Sequence, residues 1–316
     1  MQEYTEKIRE RAKKLLEENE VDVFIGYKKG TLPLMNEPVL ISDPQKTDQL
    51  FWNSNCGLNL CNYLTKRTDK IGILATGCNS RNIVNHIIEN QIKREQLYII
   101  GVPCKGMIDH RAVDRAVKHR EILNFEESGE TFTVKGADFE ETFEKQKFLQ
   151  SNCAVCKHRN PVEYDELIAD MVEETPDVDP FKDVSKIEEM SSDNKWGFFD
   201  RMLSKCIRCY ACRNTCPLCF CPTCFVDESN PQWVGKSIDP TDRMTFHFLR
   251  AYHCAGRCTD CGACERVCPT GVTMRQFTKK LNKDAFELFS WEAGLDIDQR
   301  PPLDVYKVDD YNDFIK

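Results

Sequence analysis

Residues 206–217 read CIRCYACRNTCP, and residues 258–269 read CTDCGACERVCP. In both runs three cysteines are two residues apart, a fourth follows after three more residues, and a proline comes directly after it. This spacing is typical of bacterial ferredoxins with two 4Fe-4S clusters, in which three thiolates hold one cluster and the fourth ligates the other. The prolines turn the chain after each fourth ligand. The two runs therefore predict two 4Fe-4S clusters with crossed ligation.

Crossed ligation divides the eight cysteines into two sets. Cluster site 1 consists of Cys206, Cys209, Cys212 and Cys268. Cluster site 2 consists of Cys258, Cys261, Cys264 and Cys216. The alternative is structural zinc, which is held by paired C-x2-C knuckles that close with four ligands. Zinc needs neither the 2-2-3 run nor its duplicate, so the spacing favours iron and sulfide.

The composition fits a cytoplasmic metalloprotein. The chain has 316 residues, enough for two domains, and 18 cysteines. Its first residues are charged and do not resemble a secretory signal peptide, so we expect thiolates on metal in a reducing, anaerobic cell rather than disulfides. No apolar run approaches the ~20 residues that span a bilayer. The net charge of −8 argues against nucleic-acid binding.

The hydrophobic pattern of residues 71–100 predicts a parallel sheet. Residues 71–75 and 97–100 are apolar runs of strand length, and an amphipathic helix lies between them. Strand, helix and strand over about thirty residues form a βαβ unit, whose strands are parallel. Ligands of such sheets bind at the carboxyl ends of the strands. Cys78 and Cys104 follow the two strands, so we expect them to lie close together.

The remaining pattern predicts further elements and four segments of chain. Strands are expected at 21–25 and 39–41, and helices at 5–19, after Gly57, and at 138–148, 163–172, 195–204 and 277–289. The segments are a small, mostly parallel α/β domain (1–172), a linker (173–194), a bacterial-type α+β dicluster ferredoxin domain (195–275), and a helix with an extended tail (276–316). The tail places Tyr306, Tyr311 and Phe314 among acidic residues, a composition that favours docking to a partner.

A third cluster is predicted from a C-x2-C knuckle and the two cysteines that follow strands. Cluster site 3 consists of Cys78, Cys104, Cys153 and Cys156. Cys56 is the alternative fourth ligand, because it precedes a helix whose N-terminus would stabilise a thiolate. A second alternative is that Cys78 and Cys104 are buried thiols. Cys61 is expected to be a packing residue.

Four cysteines fit no spacing rule: Cys219, Cys221, Cys224 and Cys254. Their density is compatible with a fourth cluster or zinc site, and equally with free thiols. His247 and His253 lie nearby, but lone histidines of this kind are more often surface or capping residues than ligands. A flavin has weak local support, since the chain lacks G-x-G-x-x-G. The turns after the two strands could bring amides to a phosphate, and Arg81 could pair with an anion or with a surface carboxylate.

Residues 20–170 resemble the beta-subunit family of deazaflavin (coenzyme F-420) hydrogenases and dehydrogenases, which includes formate dehydrogenase beta subunits. The matching landmarks are Ile71-Gly-Ile-Leu-Ala-Thr-Gly-Cys78, Val102-Pro-Cys104-Lys-Gly106, and Cys153-Ala-Val-Cys156 with Tyr164-Asp165 after it. The resemblance implies an FAD and a 4Fe-4S cluster in this part of the chain. It also implies electron passage between flavin and a nicotinamide-like carrier or a partner subunit.

Residues 200–316 are similar to iron–sulfur subunits that accompany heterodisulfide-reductase-like flavoproteins. The similarity rests on Cys206-Ile-Arg-Cys-Tyr-Ala-Cys212, Ala255-Gly-Arg-Cys258, and Glu292-Ala-Gly-Leu295 followed by Pro301-Pro302. It implies a place in hydrogenase, formate dehydrogenase or electron-bifurcating assemblies of anaerobes, with flavoprotein and catalytic subunits, and ferredoxin, as partners.

These expectations combine into one main hypothesis, an electron-transfer subunit that passes electrons through several 4Fe-4S clusters to or from a flavoprotein partner. The first alternative is a flavin-containing subunit that itself reacts with a nicotinamide, a deazaflavin or ferredoxin. The second is a scaffold stabilised by zinc.

Overall fold

A five-stranded, mostly parallel sheet forms the core of the N-terminal half of the protein. The computed structural model describes residues 2–302 and 304. The strands are β1 (Val23–Lys28), β2 (Glu37–Ile41), β3 (Ile71–Ala75), β4 (Leu97–Gly101) and, after three strands of a second sheet, β8 (Glu166–Leu167). Their order is β2-β1-β3-β4-β8, with only the edge strand β2 antiparallel to its neighbour. Every residue of β3 is buried, as expected of a central parallel strand covered on both faces.

Two helices cover this sheet. Helix α1 (Gln2–Glu17) places Ile8, Ala12 and Leu15 in the core, and α2 (Gly77–Ile88) makes the crossover from β3 to β4. The prediction of a parallel βαβ unit is therefore confirmed. The polar side of α2 is also buried, including Asn82 and His86. A helix buried all round needs partners on both sides, and the second side packs on the C-terminal half.

A second, antiparallel sheet includes part of the segment that the sequence predicted to be a helix. Its strands are β5 (Asn124–Ser128), β6 (Thr131–Lys135) and β7 (Glu140–Glu144), and its apolar side packs near α3 (His110–Ala116). The predicted helix over 138–148 is wrong. Phe139, Phe143 and Phe148 have nearly helical spacing, but Phe143 stands on β7 and Phe148 on the 3-10 turn that follows. Both rings contact Phe132 of β6.

Two other predicted helices are also wrong. Residues 163–172 contain β8 instead of a helix, because their backbone pairs with β4. After Gly57 only a 3-10 turn forms, Leu60–Tyr63, and the side chain of Asn59 caps it by accepting a hydrogen bond from the amide of Cys61.

The remaining α-helices of the described residues after β7 are joined by loops. They are the one-turn α4 (Ser151–Ala154), then α5 (Lys182–Glu188), α6 (Ser192–Leu203), α7 (Ala211–Asn214), α8 (Pro240–His253), α9 (Ala263–Arg266) and α10 (Arg275–Phe289). Within the described residues no strand follows β8, so the strands of an α+β ferredoxin domain are not found there. Helix α5 lies within the predicted linker and is tied to α10 through ion pairs of Glu188 with Lys280 and Lys283. Tyr306, Tyr311 and Phe314 lie outside the described residues. None of the described helices is both long enough and apolar enough to cross a membrane.

Buried polar contacts join the two halves. Arg266 of α9 is 5% exposed and donates to the carbonyls of Ile108 (2.9 Å), Leu34 (3.1 Å) and Asn55 (3.1 Å) in the N-terminal half. Because a buried guanidinium needs acceptors for its N–H groups, these carbonyls fix α9 against the first half. Asn82 of α2 donates to the hydroxyl of Thr259 at 2.6 Å, which explains the burial of that face of α2.

Candidate iron–sulfur centres

The four cysteines of cluster site 1 converge although Cys268 comes from the second run. Burial raises the pKa of Cys206 and of Cys212, and the charge of Cys268 contributes to the increase in both. The pKa of Cys212 reaches about 11. A small cavity lies between the four thiols. Cys209 is exposed, and Ile207 beside it is 55% exposed. Cluster site 1 therefore borders the protein surface.

The cysteines of cluster site 2 converge in the same crossed manner. Burial raises the pKa of Cys258 (to about 12), Cys261 and Cys264, and the nearby charge of Cys216 adds to the increase in each case. Cys216, from the first run, thus faces the three thiols around α9. Each fourth cysteine lies with the other run, as the spacing predicts; the ligation of the clusters themselves remains a prediction.

The two runs also repeat one backbone conformation. Four residues at equivalent positions have positive φ: Arg208, Tyr210, Asp260 and Gly262, at 52°, 60°, 57° and 73°. The left-handed conformation points the amide of Arg208 at Cys206 Sγ and the amide of Asp260 at Cys258 Sγ, each at 3.4 Å. Amide hydrogen bonds to cysteine sulfur stabilise thiolates and tune cluster potentials. The spacing thus fixes local hydrogen bonding as well as the positions of the thiols.

The cysteines of cluster site 3 come together as the sheet topology predicts. Cys78 lies in the first turn of α2, Cys104 follows β4, and Cys153 belongs to α4, with Cys156 just beyond it. Burial, with a smaller contribution from the charges of other cysteines of the site, raises the pKa of Cys78, Cys104 and Cys153 to about 12. Two more amides point at sulfur, from Gly106 to Cys104 Sγ (3.3 Å) and from Met107 to Cys153 Sγ (3.4 Å).

The alternative ligand Cys56 has other partners. Its sulfur accepts a hydrogen bond from Asn36 Nδ2 at 3.1 Å and lies 3.7 Å from the carbonyl of Phe51. Cys61 is fully buried and donates to the carbonyl of Asn79 at 3.1 Å, a packing position. Cys56 also lines the cavity that the four cysteines of cluster site 3 line, so the choice of the fourth ligand stays a prediction.

That cavity, of about 420 Å³, connects cluster sites 2 and 3. All four cysteines of site 3 line it, together with Cys258 and Cys261 of site 2. Besides burial, the charge of Cys78 is the strongest influence that raises the pKa of Cys261. The hydroxyl of Thr259 lies 3.4 Å from the carbonyl of Cys78. Two groups of thiols therefore share one cavity.

The spread of these thiols fits clusters better than single ions. Zinc–sulfur bonds of about 2.3 Å place tetrahedral thiolates about 3.8 Å apart. In the described part of the chain, only Cys216, Cys219 and Cys254 place three ligand atoms within 4.8 Å of one another. The sulfur atoms at each of the three cluster sites are too far apart to bind one ion together. A cluster of several irons binds thiolates that are farther apart. The convergent thiols, cavity and amide hydrogen bonds all suit 4Fe-4S clusters.

The four unassigned cysteines do not form one group. Cys219 and Cys254 lie beside Cys216, and their hydrogen bonds hold the pKa of Cys216 well below its ordinary value. Cys221 is exposed, and Cys224 is half-buried beside Arg213.

Two residues of α8 were not recognised as site residues. His247 is 2% exposed and places Nε2 3.3 Å from Cys206 Sγ. Burial, then the charges of Arg250 and Arg208, lower the pKa of His247 to about 3, so the ring is neutral and suited to donate an N–H to a thiolate. The lone-histidine expectation is therefore wrong for His247. His253 is exposed, as expected.

Arg250 is the second such residue. It is 5% exposed and donates to the carbonyl of Cys212 at 3.1 Å. Although burial opposes its charge, the neighbouring thiolates, led by Cys216 and Cys254, raise its pKa well above the ordinary value. Among the described residues no carboxylate forms an ion pair with Arg250, so its counter-charge must come from sulfur.

Arg81 is not free to hold an anion. Its guanidinium donates to the carbonyl of Ala293 at 2.7 and 3.0 Å and pairs with Glu292 at 3.0 Å. Of the two partners expected for Arg81, an anion or a carboxylate, the structure therefore has the carboxylate.

Parts of the chain are similar to known proteins. A family model described as a 4Fe-4S dicluster domain matches residues 202–272. The F420-dependent formate dehydrogenase subunit beta of Methanocaldococcus jannaschii is 31% identical over 116 residues, which are 37% of this chain and 29% of that protein. The F420-dependent formate dehydrogenase 1 subunit beta of Methanococcus maripaludis is 23% identical over 353 residues, covering 92% of this chain and 90% of that protein.

Among solved structures, the F420-reducing [NiFe] hydrogenase complex from Methanosarcina barkeri is similar to this chain. It matches with a TM-score of 0.39 and 16% identity, covering 50% of this chain and 63% of that one.

Proposed function

We propose that this chain, which is related to the beta subunits of F420-dependent formate dehydrogenases, is the iron–sulfur subunit of a formate dehydrogenase- or hydrogenase-like oxidoreductase. It transfers electrons to or from a flavoprotein partner. The observation that carries the proposal is the arrangement of twelve cysteines in three adjacent quartets. A 4Fe-4S cluster, when bound, takes up and releases single electrons.

The order of the sites supports a route through the protein. Cluster site 1 borders the surface at Cys209, and short helices α7 and α9 connect it to cluster site 2. Cluster site 2 shares the cavity with cluster site 3. The protein holds the thiols at fixed spacing, directs amides at sulfur and places the thiols of sites 2 and 3 in a partly buried cavity. These are the means by which a protein controls cluster potentials.

The organisation of the chain follows from this role. An α/β domain (1–172) holds cluster site 3, and the dicluster domain (195–275) holds sites 1 and 2, with residues 173–194 between them. Residues 276–316 add a helix and a tail for docking to catalytic and flavoprotein subunits. Ferredoxin is a further partner, and the complex works in the cytoplasm of an anaerobe.

Iron and sulfide analysis of anaerobically purified chain tests the proposal. Three clusters would give about twelve iron and twelve sulfide per chain. Iron and sulfide near eight would limit the protein to cluster sites 1 and 2. Metal without sulfide, above all zinc, would contradict the proposal.

A second candidate is that the chain itself holds a flavin and reacts with a nicotinamide, a deazaflavin or ferredoxin. The 420 Å³ cavity favours it, because Trp291 and the turn at Thr76 line that space next to cluster site 3. Against it, Gly77 in that turn is packed so closely that an added Cβ would lie 2.1 Å from the carbonyl of His158. Flavin absorbance released on denaturation of the fully iron-loaded chain would support this candidate, and its absence would exclude it.

A further inference from the structure

Three thiols form a compact group behind cluster site 2. The Sγ atoms of Cys216, Cys219 and Cys254 all lie within 4.8 Å of one another. Cys219 follows Cys216 in a tight turn, its amide donating to the Cys216 carbonyl at 3.0 Å, and Cys254 ends helix α8. Two independent elements therefore converge on this point, and local sequence proximity alone does not produce the group.

The surroundings of this group are cationic. The sulfur atoms of Cys216 and Cys254 are near the guanidinium groups of both Arg250 and Arg257. Arg257 is itself held by Glu89, whereas Arg250 has no carboxylate in an ion pair among the described residues. Positive charge beside the group offsets part of the negative charge that three thiolates would bring to a bound ion.

The same group meets cluster site 2 through one sulfur. Cys216 is near enough to Cys258, Cys261 and Cys264 to affect their pKa values, and its sulfur lies within 4.8 Å of those of Cys219 and Cys254. A thiolate sulfur has more than one lone pair, so it can bind a cluster iron and a second metal at once.

We propose that Cys216, Cys219 and Cys254 bind one thiophilic divalent ion, with Cys216 bridging that ion to the cluster of site 2. The bridge rests on the proposed ligation of that cluster. Thiolates select metals such as Zn²⁺ and Fe²⁺. Closing the sulfurs from their present separation to the about 3.8 Å of a tetrahedral ion needs only small movements. Binding releases the thiol protons of Cys219 and Cys254 and requires no oxidant or reductant.

Three protein ligands leave a fourth position on the ion. Sites with four cysteine ligands are closed and structural, whereas three protein ligands leave room for water or another small ligand. Cys216 and Cys219 are only half-buried, which is compatible with access to that position.

Two other arrangements of the same thiols are chemically reasonable. Cys219 and Cys254 could remain thiols that donate S–H hydrogen bonds to Cys216, or they could join in a disulfide. Neither binds an additional ion, so metal analysis separates them from the proposal.

The experiment uses Zn²⁺ as the probe with the anaerobically purified holoprotein. Wild type, Cys219→Ser, Cys254→Ser and the control Cys221→Ser are each equilibrated with Zn²⁺, desalted and analysed for zinc, iron and sulfide. Cys221 is exposed and outside the group. We expect about one zinc in wild type and control, with three sulfurs at about 2.3 Å in zinc-edge X-ray absorption. Cys219→Ser and Cys254→Ser each remove a ligand. Each should lower the affinity for zinc at least as much as the loss of a residue that supports a ligand, which is roughly 10- to 100-fold. Iron and sulfide should stay unchanged.

The outcomes separate the inference from the proposed function. Equal zinc in all four proteins, or no zinc in any, would overturn the ion site, and thiol alkylation or a disulfide in the intact mass would then identify the arrangement. Two cysteine variants are used because the buried Cys254 could affect folding, whereas Cys219 is half-buried. Missing sulfide in wild type would overturn the proposed function and the Cys216 bridge, while zinc stoichiometry would still decide whether the three thiols bind an ion.

Discussion

The two cysteine runs have the same spacing and the same left-handed turns, yet they carry opposite charges at the same position. Arg208 in the first run donates to the carbonyls of Gly235 and Ser237 in the loop before α8. Asp260 in the second run instead accepts from Arg275 at 2.7 Å. The motif therefore fixes the thiols, while the flanking side chains attach each cluster site to a different part of the fold. Cluster site 1 includes the exposed Cys209, whereas all four cysteines of cluster site 2 are partly buried.

The largest expected effect tests whether the two runs depend on each other. Cys268→Ser should remove the cluster of site 1, lowering iron by about four per chain, although Cys268 belongs to the second run. Paramagnetic resonance of the reduced protein would measure the loss. Cys216→Ser should do the reverse and remove the cluster of site 2. Cys221→Ser is the control and should keep both clusters. Crossed ligation would be contradicted if Cys268→Ser lost only the signal of cluster site 2.

The next effect concerns the attachment of cluster site 2. Arg275 is 3% exposed and pairs with Asp260 and Glu265, so Arg275→Met leaves Glu265 without this ion pair and Asp260 with Lys279 alone. Breaking such a buried pair costs about 3–5 kcal/mol in free energy of unfolding. Lys280→Met is the matched control, since the Lys280 side chain is 42% exposed. Each of its ion pairs should contribute only about 0–1 kcal/mol to the free energy of unfolding. Anaerobic denaturation of holoprotein followed by circular dichroism would compare them. Equal stabilities would mean that this network does not support cluster site 2.

The sequence predicted the parts of the fold and the site that depend on spacing and on strand connectivity. The two runs encode their own turns, and the crossover between β3 and β4 brings Cys78 and Cys104 together. The second sheet was missed because the phenylalanines of residues 139–148 have nearly helical spacing, and only pairing with β6 reveals a strand. Such pairing depends on residues elsewhere in the chain, which local periodicity does not report.

The inner face of α8 was missed for a similar reason. Phe246, His247, Arg250 and Ala251 are its buried residues, at helical spacing. Polar residues on such a face could have been noticed as an unusual stripe. Their partners, Cys206 and the carbonyl of Cys212, become evident only once the helix is packed over the first run.

A smaller effect should be shared by both runs. Arg250 lies near Cys212 of cluster site 1 and near Cys216 and Cys264 of cluster site 2. Removing its charge with Arg250→Gln should make the reduced, more negative state of both clusters less favourable. At an effective dielectric constant of 20 the effect is on the order of 1–2 kcal/mol, or roughly 50–100 mV toward lower potential. Redox titration monitored by paramagnetic resonance would measure it. Arg250→Lys should retain most of the potential, and the exposed Arg201→Gln should change neither cluster.

The smallest effect should separate the two runs again. His247 contacts Cys206, and its ring lies against Phe246 with centroids 4.9 Å apart, so His247→Phe removes an N–H···S hydrogen bond while keeping an aromatic ring. A net hydrogen bond is worth about 0.5–1.5 kcal/mol, which corresponds to roughly 20–60 mV. The potential of cluster site 1 should fall by this amount while that of cluster site 2 stays constant. His253→Phe, at an exposed position of the same helix, should leave both unchanged. If His247→Phe changed both potentials by the same amount, His247 would influence both clusters equally. The two runs would then differ in their attachment to the fold but not in the electrostatic effect of α8.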